Sequence, residues 1–237
     1  MSILYGNARL IYYASITYLG KILFLYITLP LMAVWLLIGL IFNLPSEVIP
    51  GIPVPVYAHI ALLPFIGFKP LFYVAVGMGS TRVQFLKAFY GVGIAAITVT
   101  IILLNVCQYV LLVLSNHWIG WSNILHPAMF FMHEFQFIPY FWVDLMLGQF
   151  LFGFSFLIFC LWYRLGSARS IMLLMVVIIS GLFLYYGGVL DSWFIWIWLN
   201  VNPMTAFILL GIIGLVALFS TYPLMRNAPL QPNPGKN

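Results

Sequence analysis

The stretch YVAVGMGSTRVQFLKAFYGVGIAAITV, residues 73–99, joins two apolar runs through a short polar segment. The polar segment begins at Gly77 and carries two cations, Arg82 and Lys87, before the chain becomes apolar again at Ala88. Apolar runs of about 20 residues are long enough for a helix to cross a hydrocarbon core about 30 Å thick. The stretch therefore predicts two membrane-spanning helices joined by a tight turn at the membrane surface.

The composition of the whole chain supports this prediction. Of its 237 residues, 65% are hydrophobic and only 5% are charged, whereas a soluble domain carries about 25% charged residues. The apolar runs lack the alternation of barrel strands, and a backbone in lipid must satisfy its own hydrogen bonds, so the runs are expected to be helices. The sequence predicts an all-α integral membrane protein with a single transmembrane domain, residues 1–237.

Six spans are predicted along the chain, at residues 22–42, 54–74, 88–114, 140–163, 171–190 and 203–224. Residues 1–21 are weakly amphipathic and rich in tyrosine, which predicts either an interfacial helix or an unstructured tail. Residues 225–237 are rich in proline and asparagine, which predicts disorder. Because Lys69 and Pro70 interrupt the second span, that span is expected to end near Phe68.

The charged residues divide between alternate connections. One set of connections and both termini hold the cations Arg9, Lys21, Arg82, Lys87, Arg164, Arg169, Arg226 and Lys236. The other set holds the acids Glu47, Glu134 and Asp191, with Asp144 at the mouth of the fourth span. Cytoplasmic connections carry the excess of lysine and arginine, so both termini are predicted to be cytoplasmic. The net charge of +5 is scattered along the chain, which favours a lipid bilayer over nucleic acid as the partner.

No motif for bond-making chemistry is present. The sequence lacks a phosphate-binding loop, a nucleophile elbow and a helical zinc motif, so no catalytic, cofactor-binding or metal-binding residue is predicted and the chain is not expected to be an enzyme. Cys107 and Cys160 fall in separate apolar runs, which favours buried thiols over a disulfide. The histidines have spacings that match no common metal site, which favours interfacial side chains at the outer surface: His59, His117, His126 and His133.

Polar residues inside the spans form a second group of candidates. Asn105, Gln108 and Tyr109 lie three or four residues apart, so they are predicted to share one face of the third span. Gln149 lies on the fourth span. Such side chains either hydrogen-bond between helices or line a substrate pathway. Glycines at 148, 153, 211 and 214 are expected to allow close helix contacts.

Two aromatic segments on the predicted outer side are too short to cross the membrane. They are HPAMFFMHEFQFIPYFW, residues 126–142, and DSWFIWIWLNVNP, residues 191–203. Either they form short re-entrant or interfacial helices over an outer gate, or they form an aromatic belt at headgroup depth.

The segment FKPLFYVAVGMGSTRVQFLKAF, residues 68–89, resembles the permease subunits of type-2 ABC exporters, in particular the small bacterial kind with six helices. Gly79, Thr81, Arg82 and Phe85 match the pattern G-x-[ST]-R-x-x-[FY] that precedes the third helix in that family, with Ser80 at the variable position. The predicted six-helix layout with an N-terminal interfacial segment is also similar to that family.

The resemblance implies that residues 79–85 form a coupling helix that docks into a separate ATPase subunit, present in two copies. ATP and magnesium would bind to that partner and no cofactor to this chain, and a second permease copy or a sister permease would complete the pathway. Arg82 would supply a charge for an acidic partner and Phe85 an apolar anchor. The implied function is export of an amphipathic peptide, antibiotic or lipid-like molecule across a bacterial plasma membrane. The alternatives are a plain cytoplasmic turn and a non-transporting membrane scaffold or accessory protein.

Overall fold

The computed structural model describes residues 3–42, 50–120, 124–132, 135–192 and 200–228. Six helices in these ranges are long and apolar enough to cross a membrane, and each overlaps one predicted span. They are Leu4–Phe42, Pro53–Gly77, Arg82–Trp118, Phe137–Leu165, Ser167–Tyr186 and Pro203–Met225. Several predictions concern positions outside the described residues, namely those for Glu47, His133, Glu134, Lys236, residues 193–199 and the tail from residue 229.

The first span is longer than predicted. It consists of α1 (Ile3–Ser15), a π-helical segment (Ile16–Thr28) and α2 (Leu29–Phe42), which follow one another without a break. Residue 21, where the sequence predicts the boundary between an interfacial helix and the span, therefore lies inside one continuous helix, and the interfacial position of the residues before it stays a prediction. The buried side chains Ile11, Leu19 and Leu23 continue along the helix across that boundary, and α1 packs against α5 (Arg82–Trp118). Ending the helix at residue 21 would interrupt this buried line.

The second span also continues past its predicted end. It consists of α3 (Pro53–Leu63), a π-helical segment (Pro64–Phe68) and α4 (Lys69–Gly77). The π-helical segment begins at Pro64, and Pro70 follows it at the second position of α4; neither proline has a backbone N–H to donate. Phe68, where the span was expected to end, is fully buried. The helix continues because this ring packs into the core, while Lys69 beside it stays exposed.

A tight turn joins α4 to α5, as the sequence predicts. Gly79 has φ +86°, a conformation that side chains with a Cβ rarely adopt. Thr81 then caps α5: its hydroxyl accepts a hydrogen bond from the Gln84 backbone N–H at 3.2 Å, and the Gln84 side chain accepts one from the Thr81 N–H at 3.1 Å. This capping box satisfies two backbone donors that would otherwise lack partners. It therefore fixes the start of α5 at Arg82.

The last three spans are α6 (Phe137–Leu165), α7 (Ser167–Tyr186) and α8 (Pro203–Met225). Gly166, with φ +79°, reverses the chain between α6 and α7. The helices α6 and α8 approach most closely at Gly153 and Gly214, where a Cβ on either residue would collide with the backbone of the other helix. Small residues let helices in a membrane approach this closely, so the predicted close contacts are confirmed.

Contacts between distant residues define two ends of the bundle. At one end, called the turn end, Tyr90 hydrogen-bonds Thr221 at 2.7 Å, and the Arg164 guanidinium donates to the Leu224 carbonyl at 3.4 Å. This end contains the turn at residues 78–81. At the opposite end, called the loop end, the segment 124–132 packs beside the start of α3, and the Leu125 N–H donates to the Pro50 carbonyl at 3.0 Å.

The turn end holds a cluster of closely packed phenylalanine rings, called the phenylalanine cluster. Phe68 occupies its centre and lies 5.0–5.5 Å from the rings of Phe72, Phe85, Phe89, Phe156 and Phe159. These rings come from the second span, α5 and α6, so the cluster joins the helices on both sides of the 78–81 turn to the rest of the bundle.

Candidate functional site

The most concentrated polar chemistry among the described residues surrounds Asp144, which is fully buried. One carboxylate oxygen, Oδ1, accepts from the Tyr57 hydroxyl and lies 2.6 Å from His126 Nε2. The other, Oδ2, accepts from Asn105 Nδ2 at 2.8 Å. Side chains from three helices and one connecting segment therefore converge on a single carboxylate.

The four elements place these side chains in different ways. Tyr57 lies one turn into α3, Asn105 lies in the distal half of α5, and Asp144 lies about 10 Å along α6 from its first residue. His126 is not on a long helix. It caps a short 3-10 helix, Pro127–Phe130, within the segment 124–132.

The His126 ring is held on both sides. Its Nδ1 accepts a hydrogen bond from the Ala128 N–H at 3.0 Å, and its ring stacks on Tyr140 with centroids 4.1 Å apart. Because Nδ1 acts as an acceptor, the ring proton lies on Nε2, which donates to Asp144. The ring is therefore neutral, and Tyr57, Asn105 and His126 all donate hydrogen bonds to Asp144.

Several buried carboxamide atoms near this centre have no hydrogen-bond partner. They are Asn105 Oδ1, both polar atoms of Gln108, and, further along α6, Gln149 Oε1. Asn105 and Gln108 are fully buried, and Gln149 is 7% exposed. A buried polar atom without a partner costs about 1–3 kcal/mol, so these atoms mark places where water or a ligand would be stabilising.

The predicted polar face of the third span is correct for two of its three members. Asn105 and Gln108 point into the bundle, but Tyr109 is 54% exposed. Tyr109 lies about 100° around the helix from Gln108, which carries it beyond the buried face. Asn105 bonds to Asp144 across α5 and α6, as the interhelical hydrogen-bond interpretation predicts.

Two residues at this end are more deeply buried than the sequence predicts. Asp144 was expected at the mouth of its span and His126 at the interface, yet both side chains are buried. The segment 124–132 folds back over Asp144 and removes both from the surface. An acid within an apolar run is a functional signal in its own right, and that signal in the sequence could have identified the site.

His59, His117 and the two cysteines lie away from Asp144. His59 Nδ1 lies 2.8 Å from the Pro55 carbonyl oxygen on its own helix, and His117 is exposed near the end of α5. Cys107 and Cys160 are free thiols, the second of them buried. In the two predicted outer aromatic segments, the described residues are helical at 127–130, where they form a 3-10 helix, and at 191–192 and 200, while residues 137–142 already belong to α6.

The residues of the predicted coupling turn differ in exposure. Gly79 and Thr81 are exposed and Arg82 is partly exposed. Ser80 is buried, and its hydroxyl accepts a hydrogen bond from Asn7 Nδ2 at 2.6 Å. Phe85 is fully buried in the phenylalanine cluster, so it is not a surface anchor for another protein, contrary to the prediction. Residue 85 falls on the inner face of α5, and that face packs on Phe68.

We predict that His126→Phe will loosen the segment 124–132. The phenyl ring keeps the stacking on Tyr140 but loses both hydrogen bonds. Each loss leaves a buried polar group without its partner, which costs about 1–3 kcal/mol. Amide hydrogen exchange at Ala128 should become about tenfold or more faster. His117→Phe, at an exposed position, is the matched control. Unchanged exchange at Ala128 would show that the His126 contacts do not hold this segment.

The six apolar helices define the class: this is a multi-pass α-helical membrane protein. No protein-family model, curated protein or solved structure matches the chain. Its function is therefore inferred from the contacts of its own residues.

Proposed function

We propose that this chain is the membrane-spanning permease subunit of an ATP-driven exporter, and that a separate ATPase subunit docks at the turn of residues 78–82. The observation that carries the proposal is the way this turn is connected to the bundle. Ser80 is bonded to Asn7 of α1, Thr81 caps α5, and α5 carries Phe85 into the phenylalanine cluster. A displacement of the turn would therefore be passed to α1, α4, α5 and α6 together.

The exposed part of the turn suits a docking role. Met78 is 62% exposed, and Arg82 carries a fixed positive charge beside it. The contacts between spans place Arg9, Arg164 and Arg226 at this same end, which makes it cationic. An acidic surface on the partner would complement this end, and complementary charge favours fast and specific association. Phe85 then acts inside the permease and relays the movement.

The cargo we assign is an amphipathic molecule such as a peptide, antibiotic or lipid-like compound. A groove of about 370 Å³ lies between the first span and α5. Its lining is mainly apolar, with Leu19, Phe24 and Ala95 among the residues and the hydroxyl-bearing Ser15 and Thr100 beside them. A lining of this kind fits an apolar body with a few polar groups.

A second permease copy or a sister permease belongs to the proposal, because one chain of six spans forms half of the pathway in this scheme. The helix α7 offers a surface for it. No residue in the most apolar stretch of α7 is buried within the chain, whereas 28–44% of the corresponding stretch is buried in each of the other five spans. The exposed surface of α7, continuous over residues 171–180, is therefore available to contact either lipid or a second permease.

A photo-crosslinking residue at position 78 tests the docking site. In the native membrane it is expected to capture a chain with a phosphate-binding loop, identified by mass spectrometry and then co-purified with the permease. The control places the same residue at Asn116, which is exposed on α5 at the loop end. Capture of an ATPase from both positions, or from neither, would contradict docking at the turn and favour the scaffold alternative.

We predict that Arg82→Glu will lower the ATPase rate of the co-purified complex in lipid nanodiscs by about tenfold or more. Charge reversal places like charges together at the interface, at a cost of several kcal/mol. Lys87→Glu is the matched control, because Lys87 is exposed and lies about 140° around α5 from Arg82. Equal ATPase rates for the two variants would show that the partner does not recognise the charge of Arg82.

A further inference from the structure

We propose that Asp144, Asn105 and Gln108 form a binding site for one monovalent alkali cation inside the loop end of the bundle. This site lies at the opposite end from the 78–82 turn, and its test needs no ATPase. The proposal therefore stands or falls separately from the proposed function.

The charge of the site calls for a counter-ion. The three donors to Asp144 are a tyrosine hydroxyl, a carboxamide and a neutral imidazole, so the cluster keeps one negative charge. Among the residues that the structure describes, no lysine or arginine forms an ion pair with Asp144. An unpaired charge within a membrane span costs about 2.5 kcal/mol or more. A bound cation would remove that cost.

Free oxygen lone pairs are available to hold the cation. A carboxylate offers about four acceptor positions, and three donors occupy Asp144, two on Oδ1 and one on Oδ2. One position on Oδ2 is therefore open. Asn105 Oδ1 has no partner, and it belongs to the same carboxamide that donates to Oδ2.

Gln108 supplies the third oxygen. It is fully buried and follows Asn105 by three residues, which makes the two side chains neighbours on the surface of α5. Its Oε1 has no hydrogen-bond partner. Two carboxamide oxygens and one carboxylate oxygen thus lie on the facing surfaces of α5 and α6 with lone pairs unused.

The chemistry of the three oxygen ligands selects the kind of cation. Oxygen ligands suit hard cations rather than zinc or copper, and His126 is excluded as a ligand because both of its ring nitrogens already have partners. One carboxylate neutralises a monovalent ion, whereas calcium or magnesium would leave a net positive charge in apolar surroundings. The alkali cations are the class that balances this charge.

The test uses the full chain purified in detergent, with thermal unfolding compared in sodium chloride, potassium chloride and N-methyl-D-glucamine chloride at equal ionic strength. We expect a Tm about 4 °C higher at an alkali cation concentration tenfold above its Kd. Equilibrium binding of radioactive sodium should saturate at one ion per chain if sodium is the preferred ion. Asp144→Asn keeps the shape of the side chain and should abolish the cation-dependent shift.

Two further variants keep the test decisive. Gln108→Leu leaves the carboxylate in place and should weaken cation binding about tenfold or more, even if Asp144→Asn fails to fold. Ser155→Ala is the matched control on α6, because the Ser155 hydroxyl bonds only to the Phe152 carbonyl of its own helix, and it should retain the full shift. A wild-type Tm that is the same in all three salts would overturn the proposal and leave water as the occupant. Sodium binding that survives in Gln108→Leu would exclude Gln108 as a ligand.

Discussion

Gly153→Ala is expected to separate α6 from α8 and to lower the free energy of unfolding by about 3 kcal/mol or more. The added Cβ would overlap the carbonyl oxygen of Gly214 and lie 2.7 Å from its carbonyl carbon. Both are backbone atoms, so no side chain can rotate away and the helices themselves must move. Overpacking of a tight contact costs about 1–3 kcal/mol, and more where the neighbours cannot yield. Unfolding in mixed detergent micelles, followed by tryptophan fluorescence, measures the loss.

The control for this variant is Gly181→Ala on α7. A Cβ at Gly181 meets no atom within 4 Å, and alanine has the higher helix propensity, so this variant should be neutral or slightly stabilised. Gly214→Ala provides a second test from the opposite helix, because its Cβ would lie 2.6 Å from the Gln149 carbonyl oxygen. If Gly153→Ala and Gly181→Ala unfold at the same detergent fraction, the close crossing of α6 and α8 is refuted.

Phe68→Ala is expected to cost about 3–5 kcal/mol, the range for removing a buried aromatic ring from a packed core. Phe68 is fully buried and lies among the five surrounding rings of the phenylalanine cluster. Its loss leaves a cavity at the point where the second span, α5 and α6 meet. Unfolding in mixed micelles measures the stability, and the ATPase rate of the proposed complex with an ATPase subunit measures the effect on the proposed coupling.

Phe154→Ala is the matched control for the ring deletion. Phe154 lies on α6 but is 45% exposed on the outside of the bundle, so we expect its removal to change stability by less than about 1 kcal/mol. A similar loss in both variants would mean that the phenylalanine cluster contributes no more than the outer surface. A stable Phe68→Ala variant would refute the central position of this ring.

The six spans could be predicted from the sequence because lipid imposes a simple condition on the backbone. A run of apolar residues long enough to cross the hydrocarbon core has to be a helix there, whatever its neighbours are. The turn at 78–81 could be predicted for a related reason, since Gly79 and Thr81 carry local conformational and capping preferences. The helix-contact glycines were also predictable, because a missing side chain permits close approach wherever the partner lies.

The polar site was only partly predictable. Asn105 and Gln108 share a face through helix periodicity alone, which is a local property. The burial of His126 and Asp144 depends on the segment 124–132 folding over α6, and neither the spacing nor the composition of the chain encodes that contact. The exposure of Tyr109 and the burial of Phe85 likewise depend on which side of α5 meets the other helices. An apolar helix in lipid has no polar face to mark the outside.

The sequence by itself thus determined the class of the protein, the number and approximate position of its spans and the place of the turn at 78–81, because each follows from local hydropathy and backbone preference. The tertiary structure alone decided that residues 3–42 form one continuous helix, that Phe85 packs inward, and that Tyr57, Asn105, His126 and Asp144 meet. Those contacts join residues up to 87 positions apart. Only the packing of whole helices brings such distant residues into hydrogen-bonding range.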